Sequence, residues 1–127
     1  MKIKKKIVLI GMMGSGKSTI GALLSKKMNI KFVDLDLKIE TIEKQTISQI
    51  FKLKGEKYFR TIEVKTILSL LDSKEKELVL SLGGGSILDE KVRMNVKNNS
   101  LSFWLNWKPL TIIKEFENLQ KDHLFLD

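Results

Sequence analysis

The sequence predicts an α/β fold, a mostly parallel sheet layered between helices. Three observations predict it. Short apolar runs, such as Ile7-Val8-Leu9-Ile10, alternate with longer amphipathic segments along the chain. The clearest apolar runs are continuous rather than alternating, as strands buried on both faces read. Residues that suit neither strand nor helix, namely Gly11, Asp34, Asp36 and Gly83 to Gly85, directly follow apolar runs. They therefore fall at strand carboxyl ends, where open α/β sheets bind their ligands. Right-handed crossovers between parallel strands put helices on both faces.

Each element has its own signal. Ile7 to Ile10, ending at Gly11, reads as the first strand. Ser18 to Met28 carries Ile20, Leu23, Leu24 and Met28 at helical spacing. Ile30-Lys31-Phe32-Val33 is a second strand ending in Asp34-Leu35-Asp36, and helices fill roughly 37–73. Thr46-Ile47-Ser48-Gln49 reads as a capping box, with Thr46 at the N-cap and Gln49 reaching back. Leu78 to Leu82 is a third strand, stopped by the glycine triplet. Asp89 caps a short helix through about Lys97, and Leu101 to Leu105 is a fourth strand. Pro109 suits the first turn of a last helix, where its missing N–H costs nothing.

Composition narrows the function. A chain of 127 residues with 43% hydrophobic content suits one domain with a real core. No apolar run approaches the ~20 residues of a membrane span. The apolar run behind the basic start is too short for a secretory signal, so the expected location is cytoplasmic. The chain has no Cys and one His, His123, to which no role is assigned. This excludes disulfides and thiolate metal sites and leaves little for a histidine metal centre. The net charge is +8, yet only two of the 23 basic residues are Arg, Arg60 and Arg93. Most Lys alternate with Asp and Glu, as on solvated faces. With no basic–aromatic stripe, nucleic acid is not expected as a partner, and an anionic nucleotide explains a basic surface equally well.

The sharpest motif is Gly11-Met12-Met13-Gly14-Ser15-Gly16-Lys17-Ser18, which matches G-x-x-x-x-G-K-[ST] between a predicted strand and a predicted helix. Gly14 and Gly16 can take backbone angles closed to other residues, so that successive N–H groups point at phosphate oxygens. The helix behind them adds its positive end. Lys17 can bridge the β- and γ-phosphates, Ser18 can offer its hydroxyl to Mg²⁺, and Thr19 adds a donor.

Other residues suggest an acceptor. In an extended strand end, Asp34 and Asp36 would lie on one side, where two carboxylates repel unless a cation or a ligand's hydroxyls separate them. The alternative for Asp36 is a helix N-cap. Gly83-Gly84-Gly85 suits backbone passing close to a ligand; a flexible turn is the alternative. Arg60, in a chain that otherwise uses Lys, suggests planar pairing with a carboxylate, against an ordinary surface salt bridge. Phe51 and Phe59 read as core, Met12 and Met13 as packing around the loop, and Arg93 as surface. Trp104 and Trp107 are expected to pack against a helix.

Together these features resemble shikimate kinase. The resemblance runs from Ile7 to about Pro109 through Gly-Met-Met-Gly-Ser-Gly-Lys-Ser-Thr (11–19), Phe-Val-Asp-Leu-Asp (32–36), Ile-Ser-Gln-Ile-Phe (47–51), Gly-Glu-Lys-Tyr-Phe-Arg (55–60) and Leu-Gly-Gly-Gly (82–85). It implies a three-layer P-loop fold with strand order 2-3-1-4. It implies that Gly14, Ser15, Gly16, Lys17, Ser18 and Thr19 hold ATP, with Ser18 on Mg²⁺ and Asp34 reaching the metal through water. Asp36 would hydrogen-bond the ring hydroxyls of shikimate and orient the 3-hydroxyl, its deprotonation being left open. Arg60 would pair with the substrate carboxylate and Gly84 would add a backbone N–H. The implied reaction is ATP-dependent phosphorylation of the shikimate 3-hydroxyl in aromatic amino-acid biosynthesis, by a monomer without membrane or nucleic-acid partners. The family continues after the Pro109 helix into a lid with an arginine, a fifth strand and a final helix. Here no Arg follows Arg93, so residues 1–127 are expected to form one domain without those parts. The alternatives are a nucleotide-binding remnant impaired in catalysis and a P-loop kinase of another small hydroxylated metabolite.

Overall fold

A computed structural model of the chain describes residues 6–11, 17–74 and 77–105. Four strands form one parallel sheet: β1 (Lys6–Gly11), β2 (Lys31–Asp34), β3 (Leu78–Gly83) and β4 (Ser100–Trp104). Their spatial order is β2-β3-β1-β4, as the resemblance implies. Five helices connect them, α1 (Lys17–Met28), α2 (Leu35–Glu43), α3 (Ile47–Lys54), α4 (Glu56–Leu71) and α5 (Glu90–Asn99), and a 3₁₀ turn covers Gly84–Leu88. Among the described residues no helix is long and apolar enough to cross a membrane.

β1 shows why the sheet is buried on both faces. Successive side chains alternate, so Val8 and Ile10 enter one core and Ile7 and Leu9 the other, all four at most 1% exposed. The first core is closed by Leu35 and Ile39 of α2, Ile50 of α3, Phe59, Ile67 and Leu71 of α4, and Val92 and Val96 of α5. The second is closed by Ile20 and Leu24 of α1, with Phe32 and Phe103 packed against it. On that side α1 lies so close that a Cβ on Gly21 would stand 2.3 Å from Phe32 Cε1.

Helix ends follow local chemistry. The Thr46 hydroxyl accepts from Gln49 N (3.1 Å) and the Gln49 carbonyl from Thr46 N (2.9 Å), completing the expected capping box. Asp89 accepts from Val92 N at 3.0 Å. Gly55 joins α3 to α4 at φ +88°, which disfavours a side chain, and its N–H meets Ile50 O and Phe51 O. At the far end of α4, Lys6 Nζ donates to Leu71 O and Ser73 O. A buried cation of β1 thereby caps the negative end of α4.

Two packing expectations are corrected. Trp104 is 55% exposed instead of covered by a helix. The pleat of β4 turns Leu101 and Phe103 inward and Ser102 and Trp104 outward. Phe51 stays partly exposed, its ring 4.8 Å from Phe59, which alone of the pair is buried. Trp107, Pro109 and His123 lie outside the described residues, as does the expected last helix.

Candidate active site

The carboxyl ends of β1, β2 and β3 bring together the groups singled out from sequence. Gly14, Ser15 and Gly16, with Met12 and Met13, lie outside the described residues. Lys17 opens α1, and its ammonium donates to the carbonyl of Gly11 at the end of β1. Ser18 and Thr19 follow in the same exposed turn. The Ser18 hydroxyl donates to Asp34 Oδ2 at 3.4 Å, linking the β1–α1 junction to the β2–α2 junction.

Asp34 does two things. It is the last residue of β2 and the N-cap of α2, with Oδ1 accepting from Leu37 N at 3.2 Å. The expectation of two carboxylates along an extended strand end is therefore wrong. α2 begins at Leu35, so Asp36 lies in its first turn and Asp34, not Asp36, is the cap. Helical rather than strand geometry relates the two residues. The Asp36 carboxyl is still held above the ordinary carboxylate range. Partial desolvation of a residue that still reaches solvent is the first cause, followed by the negative charges of Asp34, Glu63 and Glu40, against the opposing pull of Lys17.

Arg60 lies in α4. Its Nη1 donates to Glu63 Oε1 at 2.8 Å, its Nε stands 4.0 Å from Glu56 Oε1, and its Cζ lies 5.4 Å from the Phe59 ring centre. The pairing expected of Arg60 is thus met inside the chain, by Glu63. This is no ordinary surface bridge, because Glu63 is only 3% exposed. Sequence reasoning missed Glu63, yet a signal existed: it occupies the core-facing stripe Phe59, Glu63, Ile67, Leu71 at four-residue spacing. A carboxylate on such a stripe calls for a partner, and Arg60 stands one turn earlier.

Gly83 ends β3, and Gly84 and Gly85 open the 3₁₀ turn beside Arg60. Arg93 is on the surface as expected, its Nη1 3.4 Å from Ile87 O.

Could this site hold magnesium? Among the described residues no group of three His, Cys, Asp or Glu could enclose a metal. Ser18 and Asp34 offer hard oxygens side by side at the sheet end. That set fits an ion that takes few protein ligands and completes its shell with phosphate oxygens and water.

The sheet order, the G-x-x-x-x-G-K-S motif between β1 and α1, and the charges gathered beside it place the chain among P-loop nucleotide-binding proteins. The family model for shikimate kinase matches residues 13–124. The shikimate kinase of Persephonella marina is 44% identical over 111 residues, covering 87% of this chain and 66% of that protein. That of Rhizobium meliloti is 40% identical over 103 residues, covering 81% of this chain and 53% of its own. A solved shikimate kinase from Acinetobacter baumannii, in complex with shikimate, superposes with a TM-score of 0.76 at 36% identity, covering 82% of this chain and 57% of that one. The chain belongs to the shikimate kinase family. It spans between half and two thirds of the length of these curated relatives.

Proposed function

We propose that the chain transfers the γ-phosphoryl group of ATP to the 3-hydroxyl of shikimate, giving 3-phosphoshikimate and ADP, as a cytoplasmic monomer acting on small molecules. One observation carries the reading. Asp36, whose carboxyl is held above its ordinary range, feels both Lys17 and Glu63. It therefore stands in the field of the phosphate-side cation and of the carboxylate that holds Arg60. Family membership and the relative solved with shikimate support the choice of acceptor.

The proposed roles are those the family resemblance implies. Gly14, Ser15, Gly16, Lys17, Ser18 and Thr19 surround the ATP phosphates, with Lys17 exchanging the Gly11 carbonyl for phosphate oxygens. Ser18, and Asp34 through water, would hold magnesium, which would supply charge neutralisation at the phosphates. Asp36 hydrogen-bonds the ring hydroxyls and orients the 3-hydroxyl. Its raised pKa makes it a better proton acceptor at that oxygen. Arg60 pairs with the acceptor's carboxylate, and the Gly84 N–H adds a second donor to it. Such chemistry depends on positioning and charge neutralisation more than on covalent catalysis.

A coupled ADP-release assay with and without shikimate tests this. The expected result is shikimate-dependent turnover that disappears in Asp36→Asn and Arg60→Ala. ATP binding with no shikimate-dependent turnover sinks the reading and leaves a nucleotide-binding remnant.

A further inference from the structure

We propose that Gly85 is a positioning residue for acceptor specificity: its missing side chain lets the Arg60 guanidinium rest against the 3₁₀ turn and so fixes where a carboxylate is read. The inference rests on the proposed pairing of Arg60 with the acceptor's carboxylate.

A Cβ on Gly85 would stand 3.0 Å from Nη1, 3.0 Å from Nη2 and 3.3 Å from Cζ of Arg60. At Gly83 and Gly84 an added Cβ would meet nothing within 4 Å. Backbone conformation does not explain glycine here, because among the described glycines only Gly55 has positive φ. The reason is space, and the group that fills it is the guanidinium.

The same guanidinium is tied to a buried partner. Nη1 is bonded to Glu63 at 2.8 Å, and Glu63 is buried on the core face of α4. A methyl group at position 85 therefore makes the guanidinium give way by a few tenths of an ångström and strains its bond to Glu63. Charge-assisted pairing with a carboxylate needs N···O distances of about 2.7–2.9 Å, so a shift of a few tenths of an ångström is felt in affinity. An uncharged acceptor would not feel it. Gly85 thus contributes to discrimination for acids without itself touching the acid.

The test uses the whole 127-residue chain and its scarcity of arginine. Arg60 and Arg93 give the only two arginine Nε–H signals in an NMR spectrum, and Arg60→Lys identifies which is which. Gly85→Ala should move the Arg60 signal and leave that of Arg93 in place. By calorimetry, Gly85→Ala should weaken shikimate about tenfold while leaving the affinity for its uncharged methyl ester unchanged. In the Arg60→Lys background, Gly85→Ala should add no further loss. An unmoved Arg60 signal, undiminished shikimate affinity or equal losses for acid and ester would overturn the proposal. A wild-type chain that binds no shikimate overturns the proposed function instead, and the Arg60 signal still decides the placement.

Discussion

The phosphate side and the acceptor side of the site hold their charges differently. On the proposed phosphate side, Lys17 rests on a backbone carbonyl and Ser18 on the half-buried Asp34 carboxylate. These are local ties near solvent, and a ligand can replace each of them. On the acceptor side, Glu63 is buried, Arg60 is bonded to it, and Asp36 is displaced from its ordinary protonation by partial desolvation and by neighbouring carboxylates. Of those charges Glu63 belongs to the folded core, while Arg60 and Asp36 reach the surface and are coupled to it. The first region should lose function without losing stability, and the second should couple the two.

The largest separation of activity from stability is expected on the proposed phosphate side. Lys17→Met should lower shikimate-dependent ADP release by about 10²–10³, with stability in urea changed by less than ~1 kcal/mol. A large loss of stability would break the contrast. Next comes Arg60→Ala, which strands the buried Glu63 carboxylate. With the arginine half exposed, the expected cost is about 1–2 kcal/mol in urea unfolding, and it should shrink in a Glu63→Gln background. Equal costs in both backgrounds would mean that the pair is not coupled.

The smallest effect on stability has the opposite sign. Folding raises the Asp36 pKa, so the native state holds that proton more tightly than the unfolded chain. The associated stability is full in acid, below the unfolded pKa, and is lost as pH rises through the folded one. Asp36→Asn should therefore be more stable than the wild type at neutral pH, with the difference closing in acid, while turnover is lost. Urea midpoints measured across pH check the sign.

The strands were legible because burial on both faces leaves continuous apolar runs, and Thr46 and Asp89 announced the helices they cap. Lys17 was legible from the phosphate-loop motif, Asp34 and Asp36 from their place after a strand, and Arg60 from a composition that otherwise uses Lys. What escaped was charge inside the core. Glu63 looks like one more surface residue until its place on the Phe59–Ile67–Leu71 stripe is counted, and Lys6 looks like part of a basic leader. The Asp34–Asp36 geometry failed at a boundary: moving the start of a helix by two residues replaces a period of 2 with one of 3.6. Trp104 was judged by its size, whereas the alternation of β4 decided its exposure.

Lys6 gives the acceptor side a fixed end. It ties β1, which delivers the chain to the phosphate motif, to the last carbonyl of α4 and to that of Ser73 just beyond it, and the opposite end of α4 carries Arg60. From Leu71 to Arg60 is 11 residues, an arm of roughly 17 Å. A tilt of about 5° around that anchor carries Arg60 through roughly 1.5 Å, more than half a hydrogen-bond length, while barely disturbing Leu71. The buried lysine is in this sense an anchor: any tilt of α4 about it must also carry Phe59 and Glu63 through the core.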